Sequence, residues 1–143
     1  MYTEAIQNRR KGLCYPFVIL NRNTGHLVGT TRFIELSPKE KKLEIGHTWM
    51  HPDYWSSGIN TECKLLLLTY CFENLKTIRV QIRANEVNLR SRRAIEKIGA
   101  TFEGILRKDK INYLGVPRNS AYYSIIDDEW PRVKANLLGQ QGK

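Results

Sequence analysis

The sequence predicts a mixed α/β domain on a twisted sheet, with its elements in the order βββ-α-β-α-ββ-α. Three observations carry this. Short strand-length segments bounded by turn signals fill the first third of the chain and recur near its end. Between these regions the period lengthens twice to that of a helix, on either side of the strictly alternating Thr77–Arg83 (TIRVQIR). A helix between two strands implies a parallel pair with a right-handed crossover, while hairpins on either side need antiparallel neighbours, so the sheet is mixed.

Each element has a local reason. Pro16–Leu20 (PFVIL) is a short apolar run of strand length, and Asn21-Arg22-Asn23-Thr24-Gly25 after it is a turn sequence. His26–Leu36 resumes as the second arm of a hairpin. A polar turn, Ser37–Lys41, leads to the third strand, Lys42–Met50, which Pro52 ends. Gly58–Leu75 reads as a helix, apolar almost all round at its middle and hence expected to be buried centrally on the sheet. In Thr77–Arg83, Ile78, Val80 and Ile82 are expected to face the core, with Arg79, Gln81 and Arg83 facing away. Asn88–Ile98 is a second helix stopped by Gly99. Thr101–Arg107 and Ser120–Ile126 are strands joined around Gly115-Val116-Pro117. Asp127–Pro131 then opens a last helix, since acidic residues and proline both suit a helix N-terminus.

The 143 residues suit one domain, 1–143, with enough chain for a core that needs no disulfides. No apolar run reaches the length that spans a bilayer, so no membrane partner is expected. Met1–Lys11 is polar and has no signal-peptide core. Cys14, Cys63 and Cys71 are odd in number and lack metal-ligand spacing, so reduced thiols in a cytoplasmic protein and no metal are expected. The formal charge is +9, and between Lys76 and Lys110 there are ten Lys or Arg against four Asp or Glu. Such a surplus attracts an anion: a phosphate-bearing cofactor, an acidic substrate or nucleic acid. It is also what a plain solvated face looks like.

The loop Trp55-Ser56-Ser57-Gly58-Ile59-Asn60-Thr61 enters the first helix. A glycine there lets a ligand approach the backbone closely, and the free N–H groups and the helix dipole favour phosphate oxygens. A second segment, Asn88-Leu89-Arg90-Ser91 followed by Ala94-Ile95-Glu96-Lys97-Ile98-Gly99-Ala100, opens and closes the second helix, and Phe102-Glu103-Gly104 follows. Together these resemble the GNAT superfamily of N-acetyltransferases and its Rim-like, ribosomal-protein-acetylating branch. The family's loop is [Gln/Arg]-x-x-Gly-x-[Gly/Ala]. Here Gly58 fills the central glycine, Trp55 stands at the Gln/Arg position and Asn60 at the last Gly/Ala. The second segment is similar to the family's Asn-x-x-Ser…Glu-Lys-x-Gly-[Phe/Ala] helix. Asn60-Thr61-Glu62-Cys63-Lys64 with Glu129-Trp130-Pro131 resembles a bacterial subfamily. The resemblance runs from about Pro16 to Leu138.

The resemblance implies a GNAT-like fold with acetyl-CoA as co-substrate and a primary amine, a protein N-terminus or a small molecule, as acceptor. It implies coenzyme A pyrophosphate against Ser56, Ser57, Gly58, Ile59, Asn60 and Thr61. It also implies pantetheine along Thr48, Trp49 and Met50, where the third strand parts from its neighbour, and Asn88 near the pantetheine amides. The family begins with a further strand and two helices, absent here, so uncovered sheet surface and a homodimer or larger assembly are expected.

The chemistry needs a group that takes a proton from the amine. Glu44, fourteen residues before Gly58, sits at the offset of the family's general base; read as residue chemistry alone it is a strand glutamate. His47 is a second titratable candidate. Seven residues after Asn88, where many members place a proton-donating tyrosine, stands Ile95. The Rim-like branch assigns that role to a serine at the Ser91 position. Tyr113, Tyr122 and Tyr123 are candidates for the acceptor side. Two other readings stay open: a basic nucleic-acid-binding module on Arg79, Arg83, Arg90, Arg92, Arg93 and Lys97, disfavoured because no nucleic-acid-binding signature accompanies it, and a coenzyme A binder without turnover.

Overall fold

The computed structural model describes residues 14–141; the polar stretch Met1–Lys11 lies outside them. The predicted order of elements holds throughout. Strands β1 (Cys14–Leu20), β2 (Leu27–Ser37) and β3 (Lys42–Met50) form an antiparallel meander. Helix α1 (Ile59–Thr69) crosses to β4 (Arg79–Asn85), which runs parallel to β3. Helix α2 (Leu89–Ile98), strands β5 (Thr101–Ile111) and β6 (Pro117–Ile126) and helix α3 (Trp130–Gln141) complete the chain. The six strands lie in the order β1-β2-β3-β4-β6-β5.

The helices earn their places through apolar residues that share one core with the sheet. Leu65 and Leu68 of α1, Ile95 and Ile98 of α2, and Trp130, Val133 and Leu137 of α3 pack with Leu43, Ile45, Val80, Ile82, Tyr123 and Ile125 of the strands. Because strand side chains alternate, Glu44, Gln81 and Arg83 project from the other face. Gly99 ends α2 in the left-handed region at φ 107°, the conformation glycine adopts most cheaply. Glu129 secures the approach to α3 by accepting a hydrogen bond from the Ile126 N–H at 3.1 Å.

Four details differ from the sequence reading. Helix α1 is not buried all round: Leu66 is 66% exposed, and only one face is buried. Its pattern runs on past Thr69 because Tyr70–Asn74 continues as a wider π-type turn, with the Leu75 N–H bonded to the Tyr70 carbonyl. Strand β4 starts at Arg79, so Ile78 lies outside it and is 47% exposed, whereas Val80 and Ile82 are buried. Strand β5 extends through the charged run to Ile111, past an irregularity at Lys108, whose φ is 47°.

The sheet's decisive feature is a parting. β3 and β4 pair only at Lys42–Arg79, Leu43–Val80 and Glu44–Gln81. Beyond these, β3 carries an extra residue relative to β2 near His47, which sits at φ 50°, and the two parallel strands separate. Such a bulge re-aims the strand that contains it.

Candidate active site

A cleft of about 770 Å³ occupies the gap between the parted strands and the N-termini of α1 and α2, a size typical of a cofactor or small-ligand site. Its entrance is built by the loop before α1. Gly58 is the N-cap of α1 at φ 88°, and, its immediate chain neighbours aside, no atom of the described residues lies within 4 Å of where its Cβ would stand. The glycine thus serves the left-handed backbone and keeps the approach open. The amides of Ile59, Asn60 and Thr61 follow in the first turn, where the helix has no carbonyl to offer them. At α2, Asn88 caps the helix by accepting from the Ser91 N–H at 3.1 Å.

Of the expected cofactor residues, Thr48, Trp49 and Met50 of β3 line the cleft, as do Ser56, Gly58, Asn60 and Thr61 of the loop and Asn88 of α2. Ser57 and Ile59 are not among its walls. Ser57 turns its hydroxyl to the Tyr54 carbonyl, and Ile59 packs beside Ile19, Val28 and Met50; their backbones remain part of the loop. Trp55 donates its indole N–H to the Met50 carbonyl at 2.9 Å, and the Arg90 guanidinium carbon lies 3.5 Å from the centre of its ring. This cation–π contact ties the first loop to α2 across the cleft mouth.

Both expected catalytic residues, Glu44 and Ser91, line the same cleft. Glu44 is 1% exposed. Its Oε1 accepts from Gln81 Nε2 at 2.8 Å and from Arg83 Nε at 3.1 Å. Its Oε2 is buried with no hydrogen-bond partner among the described residues. Burial raises the Glu44 carboxyl above its ordinary value, against the Gln81 hydrogen bond and the Arg83 charge, which lower it. Gly46 makes room beside it: a Cβ there would stand 2.7 Å from the Ile34 side chain and 3.4 Å from Glu44 Oε2. Arg83 is held in turn by Asp109 at 3.3 Å, Glu35 at 3.1 Å and the Tyr122 hydroxyl at 2.9 Å. His47 also lines the cleft.

The three tyrosines separate. Tyr122 joins the Arg83 network on the Glu44 face. Tyr123 points into the core, donating to Glu96 at 2.8 Å and accepting from Arg92 at 3.0 Å, so it belongs to no acceptor wall. Tyr113 sits at the tip of the β5–β6 hairpin, 95% exposed. Sequence reasoning gave no role to Gln81 and placed Arg83 only in the alternative nucleic-acid patch, because pairing across strands is not written in the chain order. It also missed Lys64, a lysine inside an apolar helix, whose position was itself the available signal. Of the charged side chains lining the cleft, seven are Lys or Arg and one, Glu44, is acidic. That balance fits a polyphosphate ligand. Burial pushes the Cys71 thiol up to about 12, which suits a packing residue and not a nucleophile.

A mixed sheet whose parallel pair parts beside a glycine-led helix N-terminus matches the fold of solved GCN5-related N-acetyltransferases. The chain belongs to the GNAT acetyltransferase family, whose acetyltransferase (GNAT) domain matches residues 1–101. Among relatives, the Bacillus subtilis protein named "Putative ribosomal N-acetyltransferase YdaF" is 36% identical over 110 residues, 77% of this chain and 59% of that protein. A crystal structure of a GCN5-related N-acetyltransferase from Brucella melitensis superposes with a TM-score of 0.87 at 27% identity, covering 96% of this chain and 62% of that one. Mycobacterium smegmatis RimJ, solved in complex with CoA-disulfide, shares the fold with a TM-score of 0.84 at 23% identity, over 97% of this chain and 66% of that one. The chain therefore spans about three fifths of the length of YdaF and of the Brucella protein.

Proposed function

We propose that the protein transfers the acetyl group of acetyl-CoA to a primary amine by direct attack of the amine on the thioester, with Glu44 as general base. The observation that carries this is the bare Oε2 of Glu44, buried in a cleft whose other charged side chains are all cationic. Acetyl-CoA supplies the activated acetyl group. The protein's residues supply position and proton traffic. The Ile59–Thr61 amides and the α1 dipole hold the pyrophosphate, and Thr48–Met50 offer backbone groups to pantetheine where β3 has left β4. Glu44 Oε2 takes the proton from the attacking amine. Gln81 and Arg83 fix the carboxylate through its other oxygen and so keep Oε2 facing its task. Ser91 is the proton donor to the departing thiolate.

Two features bear on the acceptor and setting. A relative named for ribosomal N-acetylation supports a protein N-terminus as acceptor, with small amines as the other class. Cys63 and Cys71 form no disulfide among the described residues, which supports a cytoplasmic protein. The test is thiol release from acetyl-CoA across a panel of N-terminal peptides, polyamines and aminoglycosides. Acetyl-dependent thiol release with at least one amine is expected. Tight coenzyme A binding with no turnover on any amine would mark a binder only, and nucleic-acid binding without coenzyme A binding would overturn the reading.

A further inference from the structure

Lys64 lies in the second turn of α1 and is 3% exposed, yet it lines the cleft. Its Nζ has three protons to place. It reaches Thr48 Oγ1 and Asn60 Oδ1, each at 3.4 Å. Both contacts are long and both partners neutral, and Thr48 Oγ1 is already paired with Thr31 Oγ1 at 2.9 Å. Among the described residues no carboxylate lies within ion-pair distance of Lys64. The nearest titratable neighbour in its own helix is Cys63, and the charged side chains of α2 that share the cleft, Arg90, Arg93 and Lys97, are cationic. Burial lowers the affinity of this amine for its proton. An ammonium buried without an anion is among the costliest arrangements a fold can hold.

Helical side chains lean toward the N-terminus of their helix. Lys64 therefore sends its amine back one turn, to the level of Asn60, where the first-turn amides open on the cleft. On the other side stands Thr48, on the part of β3 that has left β4. The amine thus occupies the corner between the helix entrance and the parted strand.

We infer that Lys64 is a cofactor-binding residue whose ammonium grips the pyrophosphate of coenzyme A together with Asn60 and the first-turn amides of α1. The inference rests on the acetyl-CoA reading above and assigns to the cofactor the anion that the protein withholds. A lysine kept only for packing would use its stem and need no phosphate.

The test compares wild type with Lys64→Met, which keeps the stem and removes the charge. Calorimetry measures affinity for coenzyme A, dephospho-coenzyme A and pantetheine, the last lacking the pyrophosphate. Affinity for the first two is expected to fall tenfold to a hundredfold, the usual range for a hydrogen bond to a charged group. Pantetheine affinity should not change, and the ligand-free variant should melt no lower than wild type. Equal coenzyme A affinity in variant and wild type, or a parallel loss for pantetheine, would overturn the inference. If wild type itself binds none of the three ligands, the acetyl-CoA reading fails first. Should Lys64→Met not fold, the Lys64 ¹³Cε resonance of the wild-type protein decides. It is expected to shift with coenzyme A and not with pantetheine, and a resonance that coenzyme A leaves in place overturns the assignment.

Discussion

Glu44 is anchored through one oxygen and bare at the other, so it can accept a proton without having to reorient. Burial raises its carboxyl, which makes the ionised form a better base. Glu44→Gln keeps the shape and removes the basicity. It should lower turnover by about a hundredfold to ten-thousandfold, with coenzyme A affinity unchanged and the loss shrinking at high pH, where the amine deprotonates unaided. Ser91→Ala should cost less, since water can protonate a thiolate. Stability supplies an independent check. A carboxyl raised in the fold contributes stability that is complete below its unfolded value and is lost as pH rises through the folded value. The melting temperature of Glu44→Gln, relative to wild type, should therefore climb as pH goes from about 4 to about 8. At this scale the sequence was legible where spacing carries the information. The family resemblance pointed to Glu44 by its offset from Gly58, whereas its partners Gln81 and Arg83 lie on β4 and become neighbours only through the parallel register.

Between residue and molecule, β3 is the element on which the site depends. Its bounds were readable to the residue, because a polar turn precedes it and Pro52 follows. Its parting from β4 was an expectation from family resemblance alone, since no periodicity records where a parallel pair ends. The elements that were misjudged each have a local cause: the charged run after Arg107 resembles a loop but continues β5, and a π-type turn prolongs the helical pattern of α1. β2 fixes β3 through close contact at Gly29. A Cβ there would fall on the Trp49 carbonyl oxygen and stand 3.2 Å from the Met50 Cα. Gly29→Ala must therefore push β3 outward at Trp49 and Met50, the residues proposed to face the cofactor. An overpacking cost of about 1–3 kcal/mol is expected in chemical denaturation, together with weaker coenzyme A binding in calorimetry. A variant that binds as wild type does would show that Trp49 and Met50 need no exact placement.

As a whole, the molecule puts all three helices against one face of the sheet and leaves the Glu44–Arg83 network on the other. The order of elements and the mixed sheet were fully legible, because the alternation between strand and helix periods dictates them. At one end of the sheet, among the described residues, β1 pairs only with β2, and it exposes Tyr15, Val18 and Leu20, near the exposed Leu27. Apolar surface on an edge strand favours pairing with a second copy. Light scattering is expected to show a dimer or larger form that grows with concentration, and a monomer at every concentration would count against this. The parting of β3 from β4 has a consequence that needs no ligand to observe. Each of these strands remains bonded on its outer side, β3 to β2 and β4 to β6. Among the described residues, β3–β4 pairing stops at Glu44–Gln81, so the N–H groups of Thr48–Met50 and of Ile82–Asn85 that face across the gap have no partner in the opposite strand. Their hydrogens should exchange with solvent deuterium quickly, each beside a slowly exchanging neighbour, in a stripe of open backbone through the centre of a sheet otherwise open only along its edge strands β1 and β5. Coenzyme A that hydrogen-bonds in the gap would slow this stripe and leave the rest of the sheet's exchange unaltered.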